Sequence, residues 1–353
     1  MASLRDVAQH AGVSVATASR VVSGFDGVRS ETRERVERAM RELLYVPPSR
    51  RTETGVIGLL LPDFENPIFP ELAQAIEKRA TAAGLASILC STTAAAFREV
   101  DYVHMLLDRQ VDGMIFISCE MTNMSGEHDH YGRLVDEGAR MVFVNGALNS
   151  LSVPSVAVDE VFAGECATRH LLELGHTRIG YVAGPDFYLP TQEKAAGRER
   201  ALRAARLDPN GLVAHGDFSV EGGRTAVRVL LANGERPTGV ICSNDLMAIG
   251  VLQEAAASGL RVPADLSVVG FDGIDAAAWT SPALTTVEQP IQEIAETAVN
   301  VLQTLIAEPA KPLPHSSFRP RLKVRESTAP PRGRSLRTRR PARFDDGSAR
   351  RGG

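Results

Sequence analysis

The sequence contains few cysteines and few aromatic residues, and it has no apolar run long enough to cross a bilayer. The four cysteines, Cys90, Cys119, Cys166 and Cys242, are not spaced as in disulfide frameworks, zinc sites or redox pairs, so we expect reduced thiols in the core. The chain starts with an amphipathic helix instead of a signal peptide. These absences argue against a secreted disulfide scaffold and a membrane partner, and they predict a cytoplasmic protein.

A glycine-rich nucleotide loop is also missing. The first apolar run, VIGLLLP, is followed by DFENPIF, which has no glycine where a nicotinamide-dependent enzyme needs several. The segment from Glu127 to His130 contains two acids and two histidines, but it lies in a polar loop, where solvated side chains are the simpler interpretation. We therefore predict no catalytic residue, no metal and no cofactor.

Charge is distributed unevenly along the chain. The formal net charge is −4, yet up to Arg51 nine arginines face six acidic residues. A basic segment of this kind is suited to neutralising DNA phosphates. The sequence thus predicts a nucleic-acid-binding head on an acidic body.

Residues 4–22, LRDVAQHAGVSVATASRVV, have the pattern of two short helices joined by a tight turn. Gly12 suits the turn and Ser14 can cap the second helix. Small and apolar residues form an inner face on both helices, and a third amphipathic helix follows from Ser30. The pattern predicts an all-α helix-turn-helix DNA-binding domain over residues 1–46. A three-helix cap without a DNA role is the alternative, which the basic charge disfavours.

Base reading is expected at the start of the second helix, which enters the major groove in such domains. Val15 and Ala16 cannot donate hydrogen bonds, so we expect contacts to thymine methyl groups, while Arg20 reads guanine or holds a phosphate. The candidate DNA-binding residues are Leu4, Ser14, Val15, Ala16, Thr17, Ser19, Arg20, Arg29, Arg50 and Arg51. Because one head contacts one half-site, we expect a homodimer on a pseudo-palindromic double-stranded operator.

After Gly55, short apolar runs alternate with segments of helical period in a βαβ rhythm. Continuous apolar strands are typical of parallel sheets buried on both faces, and there are too many for one sheet. We predict two doubly wound parallel-sheet lobes with crossings near Asp159 and Gln289. Lobe 1 comprises residues 57–158 and 290–316, and lobe 2 comprises residues 159–289 and 317–328. Residues 47–56 form a short hinge, and residues 329–353 a disordered basic tail without leucine heptads.

Polar residues follow the apolar runs at their ends. In open parallel sheets ligands bind outside the carboxyl ends of strands, so these residues predict a ligand crevice between the lobes. With Phe69 and Phe218 as flat walls, the crevice suits a small hydroxylated ligand such as a sugar. For Asp245, and at even odds for Asp159, capping of the next helix is the alternative. The residues are Pro62, Asp63, Asn145, Asp159, Gly184, Pro185, Asp217, Phe218, Asn244, Asp245 and Asp272.

With these motifs the chain resembles the lactose-repressor (LacI/GalR) family of transcription regulators from Ser3 to about Thr328. The matching segments are DVA-x-x-AGVS-x-x-T-x-SRV, NPIF, VDGMIF, LGHTRIGYVAGP, SNDLMAIG, DLSVVGFD and PALTTVEQP. The resemblance implies a periplasmic-binding-protein-like core of two lobes, a homodimer, and a repressor whose operator affinity is changed by a sugar in the cleft. Within the family, ENPIFPELAQAIE and Lys194 are most similar to maltose-type repressors. Carried over by motif, the effector contacts are Ile68, Phe69, Asn145, Lys194, Phe218, Asn244 and Asp272.

Two departures from the family pattern bear on mechanism. Most members have arginine where Lys194 stands, and lysine cannot make a bidentate fork, so a planar carboxylate effector is disfavoured. The hinge, PSRRTETGV, lacks the leucine that wedges into the minor groove, so we expect Arg50 and Arg51 to act by charge with little DNA bending. Three questions stay open: whether the effector releases or tightens DNA, whether it is a non-sugar corepressor, and whether the chain is a sugar-binding module without a DNA role.

Overall fold

The computed structural model describes residues 4–22, 27–43, 55–92, 98–148, 150–309 and 311–332. The head consists of α1 (Leu4–His10), α2 (Val15–Val22) and α3 (Ser30–Glu42). Gly12 makes the turn with φ of 63°, and the Ser14 hydroxyl accepts a hydrogen bond from the Thr17 amide at 3.1 Å. The three helices share a small apolar core of Val7, Ala8, Ala11, Ala18, Val21, Val36 and Ala39.

The first lobe is a parallel sheet between helices. Its strands carry near-continuous apolar runs, as in VIGLLL and GMIFI, because both faces of the sheet are covered. The elements up to the first crossing are β1 (Val56–Leu61), α4 (Ile68–Ala82), β2 (Ala86–Ser91), α5 (Glu99–Asp108), β3 (Gly113–Ile117), a 3-10 turn (Glu120–Thr122), α6 (Asp129–Asp136), β4 (Met141–Val144) and β5 (Ser155–Val158).

The second lobe repeats this architecture before the chain returns to the first. Its elements are α7 (Glu160–Glu173), β6 (Ile179–Ala183), α8 (Leu189–Ala204), β7 (Val213–His215), α9 (Val220–Ala232), β8 (Gly239–Cys242), α10 (Asp245–Ala257), β9 (Ser267–Asp272), α11 (Ala276–Trp279) and β10 (Thr285–Glu288). The chain then forms α12 (Ile291–Ala307), β11 (Ser316–Phe318) and β12 (Arg321–Lys323).

Two six-stranded sheets result, with strand orders β11-β5-β4-β3-β1-β2 and β12-β10-β9-β8-β6-β7. Helix α12 packs on α4, β3, β4 and β5, so it belongs to the first lobe. The doubly wound, two-lobed fold class is confirmed. One strand departs from the prediction of wholly parallel sheets: β12 pairs antiparallel with β10, because it enters the second sheet directly after the edge strand β11 of the first.

Three boundaries differ from the predicted ones. Strand β11 continues to Phe318, two residues beyond 316, because it pairs with β5 along its whole length. Val56, predicted as hinge, is the first residue of β1; residues 47–54 of the predicted hinge lie outside the described residues, as do residues 44–46 of the predicted DNA-binding domain. The predicted disorder from Ala329 onward is wrong for residues 329–332. The Ala329 carbonyl accepts hydrogen bonds from His176 and Ser267, and Arg332 pairs with Asp265 at 2.7 Å.

All four cysteines are free; Cys90, Cys119 and Cys242 are buried, while Cys166 is only half-buried. Across the described ranges, every helix is too short or too polar to span a bilayer.

Candidate functional site

The carboxyl ends of strands from the two sheets meet at the lobe boundary. Asn66 follows β1 in the first lobe, and its Nδ2 lies 3.4 Å from Oδ2 of Asp272, the last residue of β9 in the second lobe. Open parallel sheets bind ligands at this end of their strands. The boundary is therefore the candidate effector cleft.

Four polar side chains form a hydrogen-bonded chain across this cleft. Beyond the Asn66 contact, Gln289 Nε2 donates to Asp272 Oδ1 at 2.9 Å, and Asn145 Nδ2 donates to Gln289 Oε1 at 3.1 Å. Asn145 Oδ1 accepts from the Val158 amide at 3.2 Å, beside the first crossing. The predicted contacts Asn145 and Asp272 are thus linked through Gln289, which stands at the second crossing.

Asp272 has an unusual backbone and an unusual charge environment. Its φ of 119° lies in a region that disfavours side chains, and its side chain is buried. Burial, followed by the repulsion of Asp245, raises the pKa of the Asp272 carboxyl well above its usual range, while Lys194 and the two amide donors act in the opposite direction. Perturbed acids in a cleft are typical of functional positions.

Lys194 lies in the second lobe with its ammonium already paired. Its Nζ is 2.8 Å from Glu160 Oε2 and 3.9 Å from the centroid of the Phe271 ring, and both charged side chains are buried. Burial raises the pKa of Glu160, an effect that Lys194 partly offsets. Because an ammonium has three donors, this pairing leaves Lys194 capable of a further contact. Sequence reasoning missed Glu160.

Both polar atoms of the Asn244 side chain are hydrogen-bonded within the protein. Its Oδ1 caps α10 by accepting from the Met247 amide at 2.9 Å, and its Nδ2 donates to the Phe218 carbonyl at 2.8 Å. Phe218 has φ of 67°, so the Asn244 bond fixes a backbone that is rarely adopted by side-chain-bearing residues. In this geometry Asn244 positions Phe218.

Phe218 belongs to a row of three aromatic side chains in the second lobe. Its ring centroid lies 5.7 Å from that of Tyr188, which in turn lies 4.6 Å from that of Phe187. Gly184 lies beneath the Phe218 ring, and a Cβ at that position would overlap it. The row offers flat apolar faces of the kind that pack against sugar rings.

Ile68 and Phe69 begin α4 and join the two lobes. Ile68 is buried in the apolar cluster of the second lobe, although its helix belongs to the first. Phe69 is half-buried and packs against this cluster and against a second one, which contains residues of both lobes. Ile68 is thus an interlobe packing residue, whereas Phe69 keeps an exposed face.

A cavity of about 180 Å³ lies beside the first crossing, with Asn145, Asp159, Glu160 and Glu193 among its lining residues. Burial and the repulsion of Glu160 raise the pKa of Glu193. The volume is below the range of roughly 300–1,000 Å³ that is usual for small-molecule sites. Of the predicted effector contacts, Asn145 lines this cavity, so the cavity by itself does not define the effector site.

Asp159 and Asp245, for which helix capping is the alternative interpretation, differ in their roles. Asp159 caps α7, accepting from the Phe162 amide at 2.8 Å. For Asp245 the capping interpretation is wrong: Asn244 is the cap, one residue earlier, and Asp245 lies fully buried in the first turn. Neither acid points to a metal, and the described residues contain no cluster of three or more potential ligands.

The DNA-facing candidates lie mostly on the surface of the head. The exposed ones are Ser14, Val15, Ala16, Ser19, Arg20 and Arg29, while Leu4 and Thr17 are half-buried. Val15 exposes 44% of its surface at the first position of α2, which is unusual for an apolar side chain and is suited to a thymine methyl. Arg50 and Arg51 lie outside the described residues.

Arg35 has a structural role in the head that the sequence did not reveal. Its Nη2 donates to the carbonyls of Ala11 and Gly12, at 2.5 and 3.0 Å, and so ties α3 to the turn. Part of the basic charge of the head therefore stabilises the fold.

Known protein families match both parts of this architecture. Residues 3–48 match the bacterial regulatory proteins of the lacI family, and residues 168–328 match the periplasmic binding protein-like domain. A relative, the HTH-type transcriptional regulator MalR of Streptomyces coelicolor, is 39% identical over 92% of this chain and 96% of its own length. The chain belongs to the LacI family. It is a DNA-binding transcriptional regulator and not an enzyme.

Solved structures of LacI-family proteins share the fold. The transcriptional regulator CelR in complex with cellobiose aligns with a TM-score of 0.70 at 30% identity, covering 93% of this chain and all of that one. The lac repressor dimer bound to operator and the anti-inducer ONPF aligns with a TM-score of 0.68 at 28% identity, covering 93% of this chain and 99% of that one.

The two lobes of this protein make a further contact that sequence reasoning missed. The Met124 amide of the first lobe donates to the Phe187 carbonyl of the second at 2.7 Å, and Asn123 forms an isolated bridge with Tyr188. This contact joins loops far apart in the chain, and no local pattern marks either partner.

Proposed function

We propose that this protein is a homodimeric, cytoplasmic repressor that binds a pseudo-palindromic operator and whose operator affinity is changed by a small sugar between its lobes. The main support for this proposal is the hydrogen-bonded chain from Asn66 through Asp272 and Gln289 to Asn145. It joins the lobes through hydrogen bonds whose partners sugar hydroxyls can replace. A ligand that bonds to these groups changes how the lobes meet, and that change is the basis for coupling to the head. Two related structures support both ligands: CelR is in complex with cellobiose, and the lac repressor dimer is bound to operator.

The proposed effector contacts divide by their surroundings. Asp272 accepts from hydroxyl groups, and Asn145 and Lys194 supply donors. Phe69 and Phe218 supply apolar faces. Ile68 and Asn244, whose side chains are engaged within the protein, position these groups.

The proposal predicts that a sugar shifts operator affinity at least about fivefold, the lower end of typical coupling between sites. The operator is first selected from random duplex DNA with the full-length chain. Its Kd is then measured by fluorescence anisotropy, alone and with maltose, maltotriose, cellobiose or D-ribose. The direction of the shift tells an inducer from a corepressor. An operator Kd that none of these sugars changes would contradict the sugar assignment.

A second prediction concerns base choice by α2. Val15 and Ala16 are both exposed, so replacing them with Gln and Asn adds donors without disturbing the head core. We expect the selected half-site to change at the facing positions, losing about 1–3 kcal/mol of preference for the original bases. Repeating the DNA selection with the double variant measures this, and the matched control is Glu31→Gln on α3, outside the proposed reading surface. An unchanged preferred half-site in the double variant would show that these residues do not read bases.

A further inference from the structure

Asp245 is a buried acid to which the proposed sugar site assigns no part. It is the first residue of α10, its side chain has no exposure, and both of its carboxylate oxygens are engaged. Oδ2 accepts from the amides of Gly273 at 2.8 Å and Ile274 at 3.0 Å, and Oδ1 accepts from the Thr286 hydroxyl at 2.6 Å. One carboxylate therefore joins α10, the end of β9 and β10.

The two amides that Asp245 accepts follow Asp272 directly. Asp272 and Gly273 have consecutive positive φ values of 119° and 84°, so the backbone is in a region that disfavours side chains where the Asp272 carboxylate meets Asn66 and Gln289. Without an acceptor, the buried Ile274 amide would lack a partner, at a substantial cost in free energy. The carboxylate of Asp245 thus stabilises the backbone conformation that aims Asp272.

The neighbouring strand is shaped to admit this carboxylate. Gly270 lies within β9, where glycine usually weakens a strand, and a Cβ there would overlap Asp245 Oδ1. A glycine inside a strand often marks the close approach of another group, and here that group is the Asp245 carboxylate.

We propose that Asp245 is a positioning residue for the effector site: it clamps the turn at residues 272–274 and so sets the direction of the Asp272 carboxylate. This inference rests on the proposed function, in which Asp272 contacts the sugar. Capping does not account for Asp245, because Asn244 already caps α10.

The groups around Asp245 determine whether its carboxyl is protonated. Burial raises the pKa of Asp245 to about 7, against the three hydrogen bonds and Arg325, which lower it. The titratable groups that face it are Asp272 on β9 and Cys242 on β8. A neutral side chain of the same shape is therefore compatible with this position.

Two variants separate the hydrogen-bond acceptor from the charge. In Asp245→Asn, the amide oxygen accepts from both backbone amides and the amide nitrogen donates to Thr286, so the clamp is kept. In Asp245→Ala the clamp is lost. We expect D245A to weaken binding of the sugar that affects the wild-type protein, among maltose, maltotriose, cellobiose and D-ribose, about tenfold or more, and D245N less than about threefold. Binding of the selected operator without sugar shows that each variant is folded.

Amide hydrogen exchange of a peptide spanning residues 272–277 tests the clamp without any sugar. We expect exchange at least about tenfold faster in D245A and wild-type exchange in D245N. Wild-type exchange or wild-type sugar affinity in a folded D245A overturns the inference, as does a tenfold loss of sugar affinity in D245N. If D245A does not fold, Thr286→Val replaces it, because this variant removes only the bond to Oδ1. A sugar affinity about threefold weaker in Thr286→Val supports the clamp, and an unchanged sugar affinity overturns it. If the wild-type protein responds to none of the sugars, the sugar proposal fails and hydrogen exchange alone decides the clamp.

Discussion

Replacing Asp272 by alanine will give a protein that binds its operator but no longer responds to sugar. The Asp272 carboxylate is the buried acceptor at the lobe boundary, where it meets Gln289 and Asn66. A hydrogen bond contributes about 0.5–1.5 kcal/mol, so losing two of them to sugar hydroxyls weakens sugar binding by about tenfold or more. Calorimetric titration of the full-length protein with the active sugar measures the loss, and operator Kd measured with and without that sugar shows the lost response.

Asp275→Ala is the matched control for this variant. Asp275 is three residues further along, is exposed, and its side chain does not cap α11. We expect D275A to bind sugar and operator as the wild type does. A D272A protein that keeps both its operator affinity and its sugar response would remove Asp272 from the site.

The same variant also reports on the free energy of unfolding. A carboxyl with a raised pKa holds its proton in the folded state at pH values where the unfolded chain has released it. The folded state then binds more protons above the ordinary pKa of about 3.9, so stability falls as pH rises toward the folded-state pKa. Without the Asp272 carboxyl, D272A should lose less stability than the wild type as pH rises above about 4, as measured by urea unfolding. Burial of this acid thus lowers the stability of the folded state as pH rises.

The head and the strand runs were predictable because their signals are local. Gly12, Ser14 and the small residues of α1 and α2 act within a few positions of one another, and apolar runs such as VIGLLL need no knowledge of their neighbours. The crossings followed from the same rhythm. Strand β12 and the anchoring of Ala329 escaped prediction because their partners, β10 and Ser267, are tens of residues away.

The sequence predicted where the residues of the candidate site lie, at strand ends, better than it predicted what each side chain contacts. Asn145 directly follows β4 and Asp272 ends β9, so their position at the cleft follows from the fold. The engagement of Lys194 with Glu160 depends on how α8 crosses α7, which no sequence period specifies. Asn244, and not Asp245, caps α10 because the helix begins at Asp245, one residue earlier than a cap at Asp245 would require.

The crossing of α7 and α8 gives the second large effect: Gly197→Ala will destabilise the protein although alanine favours helices. In an exposed helix this change adds about 1 kcal/mol of stability. At this crossing, however, a Cβ on Gly197 would overlap the Val161 carbonyl, and a Cβ on Gly164 would overlap the Lys194 carbonyl. The two helices approach through reciprocal glycines, so one added methyl group forces the backbones apart.

We expect overpacking to cost about 1–3 kcal/mol, against the helical preference, and to lower the urea midpoint of unfolding. Gly234→Ala is the control, because a Cβ there meets no atom within 4 Å, and its midpoint should match the wild type. Separation of α8 from α7 also moves Lys194 away from Glu160, so sugar affinity should fall in G197A but not in G234A. A G197A protein as stable as G234A, with unchanged sugar affinity, would show that the helices can yield without disturbing the cleft. A fall in both quantities would tie the packing of the second lobe to its binding site.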